Sequence, residues 1–185
     1  AVPVFHAARY HIDIGLHVFP TRKYQLVRDR VAALPAARGV AVFVEPEPAA
    51  WDEVALVHTG EYLEKLRTGT LSAADLAQLE LPWSEAMVEG FRLMVGGTIQ
   101  AALHACGVES LKSEVRSLGS SPRSDFRPPT SDFRAAVHIG GGLHHAFANH
   151  GEGFCPLNDV AVAIRFAQAP STRVARSGQA PSACG

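Results

Sequence analysis

Two adjacent imidazoles, His144 and His145, are the side chains best suited to chemistry in this sequence. One of a neighbouring pair can stay neutral as a base while the other carries charge and stabilises a developing oxyanion. Glycine-rich turns flank them: Gly140, Gly141 and Gly142 come before, and Gly151, Gly153, Phe154 and Cys155 come after. Glycine at such places lets backbone approach a ligand or another chain segment with no Cβ between them. Residues 135–139 form a short apolar run with the length of a buried strand. Beyond the second turn, Asn158 or Asp159 is placed to cap an apolar helix over 160–167. Strand, glycine turn, paired imidazoles, glycine loop and helix, in that order, describe the rim of an α/β active site.

Other elements must hold this rim. Over 82–103, Ser84 caps a predicted helix whose inner face is Met87, Val88, Phe91, Val95 and Ile99. Gly96 and Gly97 lie in its middle, and each costs about 1 kcal/mol against alanine, so another element is expected to approach closely there. Over 56–66, Thr59 caps a helix with Tyr62, Leu63 and Leu66 on one face, and His58 reads as a capping or packing residue. Ser72 and Asp75 have the spacing of a capping box. Pro20 and Thr21 open a further helix, with Thr21 as its cap and Tyr24, Val27, Val31 and Leu34 on one face. Residues 40–44 read as a strand, whereas residues 1–20 show no clean period. His6, His11 and His17 have no context that sets a ligand geometry and read as ordinary core or surface histidines.

A chain of 185 residues, 47% hydrophobic and 19% charged, suits one soluble globular domain. A net charge of −1 gives no electrostatic case for nucleic acid or an anionic membrane, so neither is expected as a partner. Cys106, Cys155 and Cys184 are scattered, without a C-x-x-C pair. That excludes a zinc ribbon and a disulfide scaffold, and leads us to expect an intracellular protein, cytoplasmic rather than nuclear. Residues 107–134 are polar, and Ser124-Asp125-Phe126-Arg127 recurs in them as Ser131-Asp132-Phe133-Arg134. The expected organisation is a first folded part over 1–106, a disordered low-complexity insertion over 107–134, the His-pair segment over 135–168, and an irregular tail over 169–185.

Gly141-Gly142-Leu143-His144-His145-Ala146, followed by Gly153-Phe154-Cys155 and Asn158-Asp159, resembles the histone deacetylase family, including its bacterial acetoin-utilisation-type and class IV-like members. The Gly96-Gly97-Thr98 helix is similar to one that precedes the histidine strand in that family, while residues 107–134 depart from its pattern. The resemblance covers the N-terminal half of the family domain. It implies the arginase-deacetylase α/β fold, a parallel central sheet flanked by helices, here truncated. A truncated sheet leaves a strand edge exposed and predicts self-association. It also implies zinc-dependent hydrolysis of an amide, in acetyl-lysine protein or a small acyl-amine.

In that reading His145 is the general base and then the general acid, and His144 orients or assists it. Gly142, Gly153, Phe154 and Cys155 form the substrate-binding wall, with the Phe154 ring against the methylenes of an acyl-lysine stem. The family holds its zinc with two aspartates and a histidine from an Asp-x-His motif and a later Asp, and uses a tyrosine to polarise the carbonyl. After Ala167 there is no further Asp, Glu, His or Tyr, so no metal ligand is assigned and the chain by itself is expected to be inactive. The alternative is a non-catalytic remnant or interaction module that keeps the family core. No Gly-x-Ser-x-Gly elbow supports an esterase, and no G-x-G-x-x-G supports a dinucleotide site.

Overall fold

A computed structural model describes residues 1–107 and 134–168. Three short apolar segments make a parallel sheet: β1 (Val2–Phe5), β2 (Ala41–Val44) and β3 (Val137–His138), in the order β2-β1-β3. Val2 lies opposite Ala41 and Phe5 opposite Val44, while Val4 and Phe5 lie opposite Val137 and His138. The middle strand contains Pro3, which cannot donate to a ladder. Val2 N–H donates to Val40 O on the β2 side, and Phe5 O accepts from Ile139 N–H on the β3 side. Successive residues alternate, so Pro3 points to the β3 side, one residue before β3 pairing begins.

Among the described residues six helices accompany the sheet: α1 (Lys23–Ala33), α2 (Trp51–Val54), α3 (Gly60–Thr68), α4 (Ala73–Leu79), α5 (Glu85–Ala105) and α6 (Asp159–Gln168). Short 3-10 turns lie at Ala8–Tyr10 and Pro35–Ala37. The helix expected over 82–103 is α5. Ser84 Oγ accepts from Met87 N–H at its start, and Met87, Val88, Phe91, Val95 and Ile99 are all buried. It packs against β1, β3 and α6. The close approach expected at Gly96 is made by the segment after β2, since a Cβ there would collide with the Glu47 carbonyl. Gln100 Nε2 donates to the same carbonyl at 3.2 Å, and the Arg92 guanidinium donates to Ala49 O while lying over the Trp51 ring.

The capping box of Ser72 and Asp75 and the Thr59 cap are formed as their spacing predicts. Thr21 differs. Its hydroxyl donates to Ile12 O at 2.7 Å and accepts from Ile12 N–H at 3.2 Å, so it closes the loop 12–21 and leaves the start of α1 without a side-chain cap. Val27 and Leu34 are 48% and 46% exposed; α1 reaches the core through Tyr24 and Val31 instead. Among the described residues no helix is long and apolar enough to cross a membrane, and no strand lies outside β3. The expected insertion and tail fall almost wholly on residues 108–133 and 169–185, outside the described residues.

Candidate active site

The chain leaves β3 through a glycine turn, in which Gly140 has φ 141° and Gly142 has φ 91°. These three glycines serve different ends. A Cβ at Gly140 would strike the Tyr10 ring, and one at Gly141 would lie 2.7 Å from Asp159 Oδ2, His138 Nδ1 and Thr98 Oγ1. Gly142 alone faces open space. Leu143 is buried and anchors the loop, leaving His144 and His145 exposed, with ring centroids 4.2 Å apart and planes tilted by 35°. His144 Nδ1 lies 2.9 Å from Gly142 O, so it donates to that carbonyl. Gly153 backs the other ring, where a Cβ would sit 3.3 Å from His145 Cγ.

Phe154 follows in a left-handed conformation, φ 65°, which a bulky residue adopts at a cost of roughly 1–2 kcal/mol. Its ring is held by Phe19, 5.4 Å away and tilted by 30°, and by an edge contact with His17 at 5.3 Å. Lys23 Nζ lies 3.9 Å over Phe19, and burial lowers its ammonium pKa. Cys155 is 5% exposed and lies by the His145 backbone; burial pushes its thiol pKa up. The structure therefore sets His144 beside His145 and Gly153 behind the His145 ring, turns the Phe154 ring onto Phe19 and His17, puts Cys155 by the His145 backbone and leaves Gly142 on the open turn. His17 joins this wall through a ring contact, while His6 is buried against Tyr10 and His11 is exposed.

Helix α3 braces the loop from the other side. His58 is buried, and its Nε2 accepts from Asn158 N–H at 3.0 Å. Its Nδ1 sits beside the Phe147 and Ala148 carbonyls without closing a hydrogen bond of full geometry, and burial lowers its pKa. Tyr62 O–H donates to Pro156 O at 2.8 Å, and Thr59 N–H donates to Ala148 O at 2.8 Å. Of the two residues suggested as the cap of α6, Asn158 takes the role: its Oδ1 accepts from Ala161 N–H, while its Nδ2 donates to the Ala146 and His144 carbonyls.

Asp159 turns inward instead. It is fully buried and accepts from Leu143 N–H at 2.7 Å, Gly142 N–H at 3.0 Å and the Thr98 hydroxyl. Thr98 also meets His138 Nδ1 at 2.9 Å, and His138 Nε2 meets Tyr10 O–H at 2.8 Å. Burial lowers the His138 pKa to about 4 and raises that of Tyr10. Sequence reasoning did not assign this group. The signals were present only as an inward-facing Thr after two glycines and an acidic residue beside the true cap.

The chain matches the histone deacetylase domain over residues 17–176. It belongs to the histone deacetylase family. An uncharacterized protein of Picosynechococcus is 31% identical over 153 residues, covering 82% of this chain and 42% of the relative. The acetoin utilization protein AcuC of Bacillus subtilis is 28% identical, covering 90% of this chain and 38% of the relative. Histone deacetylase 2 of Arabidopsis thaliana is 26% identical, covering 90% and 39%. This deacetylase-family chain thus spans about two fifths of the length of these relatives. The family is generally zinc-dependent, but among the described residues no three His, Cys, Asp or Glu side chains converge as a metal site. The donors present therefore do not fit the family's zinc.

Proposed function

We propose that the protein hydrolyses the amide of an acetylated or otherwise acylated amine, with acetyl-lysine as the reference substrate, and that His145 carries the proton. The observation that supports this most is an exposed imidazole pair backed by Gly153, whose chain neighbour Phe154 packs its ring on Phe19. Flat ring faces suit the methylenes of a lysine-like stem. In the reaction, His145 takes a proton from water as the water oxygen bonds to the acyl carbon. It returns the proton to the amine nitrogen as the C–N bond breaks, giving a carboxylic acid and an amine, which leave as carboxylate and ammonium once the acid proton passes to the amine. The His144 ring, 4.2 Å away, orients its partner and stabilises the charge that develops. We place the substrate among intracellular proteins or small acyl-amines, with no role for nucleic acid or membrane.

The missing donor set supports a second reading, in which the described residues form a non-catalytic module that binds an acyl-amine without cleaving it. One assay bears on both. The 185-residue chain is incubated with an acetyl-lysine peptide and added zinc, alone and as His145→Ala, while release of acetate and peptide binding are measured. We expect no turnover by this chain alone, because its described residues bring no three metal donors together. Turnover that a chelator abolishes, and that His145→Ala leaves unchanged, would overturn both the role of His145 and the expected inactivity. Binding that His145→Ala does not weaken, with no turnover, would favour the module.

A further inference from the structure

Beneath the two histidines lies a group of four polar side chains that the proposed hydrolysis does not use, drawn from four parts of the chain. Asp159 comes from the start of α6, Thr98 from the middle of α5, His138 from β3 and Tyr10 from the turn after β1. We propose that Asp159 is the positioning residue of the histidine loop, and that Tyr10, His138 and Thr98 form a one-way hydrogen-bond chain that fixes its carboxylate. This deepens the deacetylase reading and rests on it, since the loop so held carries His144 and His145.

The direction of the chain follows from counting protons. A carboxylate only accepts, and a threonine hydroxyl has one proton to give. Thr98 gives that proton to Asp159 Oδ2, so its oxygen must accept from His138, which places the ring proton on Nδ1. His138 Nε2 is then bare and accepts from Tyr10 O–H. With the Thr98 proton on its short contact to Asp159 and not on Met94 O at 3.4 Å, the four groups have one consistent hydrogen arrangement. At its end, the two carboxylate oxygens take the adjacent amides of Gly142 and Leu143, the two residues before His144. Two amides held by one buried carboxylate define the plane of that peptide and so the direction in which the histidines leave it.

The glycines support this assignment. A Cβ at Gly97 would collide with His138 Nε2 and lie 2.7 Å from Tyr10 Oη, and one at Gly140 would strike the Tyr10 ring. A Cβ at Gly141 would lie equally close to Asp159, His138 and Thr98. Three glycines of the two glycine motifs are thus required by the polar chain.

The test uses the 185-residue chain labelled with 15N and needs no turnover, so its outcome is separate from whether amides are hydrolysed. In the unaltered chain at neutral pH, the His138 ring nitrogens should report a single Nδ1–H tautomer. Asp159→Asn has one acceptor oxygen in place of two. It should speed hydrogen exchange at the Gly142 or Leu143 amide, or both, by about tenfold or more while the central amides of α5 stay protected. Thr98→Val should mix the His138 tautomers and shift the Gly142 and Leu143 amide signals, and Thr98→Ser should restore both. An Nε2–H or charged His138 in the unaltered chain would overturn the proposal even if a variant failed to fold. So would Asp159→Asn leaving both amides protected, or Thr98→Val leaving His138 unmoved.

Discussion

His138 is an imidazole enclosed by β1, α5 and the glycine turn, with a hydrogen-bond partner on each nitrogen. Burial lowers its pKa from 6.5 to about 4 in the folded protein, the nearby Asp159 only partly opposing this. Between those two values the unfolded chain binds the proton and the folded chain does not. Its contribution is therefore complete above pH 6.5 and is lost as pH falls toward 4, amounting to about 3 kcal/mol. Urea unfolding from pH 7 to pH 4 should show His138→Gln with a flatter loss of stability than the unaltered chain; parallel curves would contradict this. Phe154 offers a second test at this scale. Its positive φ persists because Phe19 and His17 hold the ring. Phe154→Gly should remove the strain but open the wall, weakening acetyl-lysine peptide binding with little change in stability by urea unfolding. At this scale the histidine pair, the glycines and Phe154 were legible because adjacent residues carried them. Asp159, Thr98, His138 and Tyr10 were not, because an ordinary residue type gains a role only when folding brings distant partners to it.

Helix α5 shows how an element can position a site that it does not enter. Its first half buries Met87, Val88 and Phe91 in the core, and its second half opens at Gly96 and Gly97 to let other segments in. Gly96 receives the Glu47 carbonyl and Gly97 receives His138 and Tyr10. A methyl group at either position would meet backbone or an enclosed ring, with no flexible side chain to give way. Gly96→Ala should gain helix propensity and still lose roughly 3 kcal/mol, the upper end of the cost of overpacking. Denaturant unfolding measures it, and a variant as stable as the parent would remove the close approach from the account. The period of α5 was readable from sequence because its apolar face is long and regular. The central strand β1 was not, because four residues including Pro3 give too little alternation, and its pairing is set by β2 and β3. The face predicted for α1 stays exposed at Val27 and Leu34 since only Tyr24 and Val31 have a surface to meet.

For the whole molecule, the sheet order β2-β1-β3 leaves β3 with no strand on its outer side among the described residues. Ile139 N–H bonds inward to Phe5 O, so by alternation the amides of Ala136 and His138 point outward. We propose that copies of this chain associate through that edge. Sedimentation at rising concentration should show oligomers of the 185-residue chain that Ala136→Pro reduces without altering β1–β3 pairing; a monomer at all concentrations would contradict it. Elsewhere α5 and α6 leave an apolar hollow of about 380 Å³ lined by Ala102, Val160 and Ile164, with Ile164 52% exposed. The α/β class and family were legible in the sequence from the order of the glycine turn, histidine pair and capped helix. The extent of the fold was not, because short parallel strands depend on neighbours distant in the chain.

We propose that these residues are the histidine side of a zinc deacetylase centre whose metal donors come from outside them. Sequencing the mature transcript through the codons of 107–134 and past that of Gly185 tests it most directly. The account predicts an in-frame continuation into a strand bearing Asp-x-His, followed by a later Asp. A transcript that stops after Gly185 would contradict it, because His145 would then have no metal centre to serve.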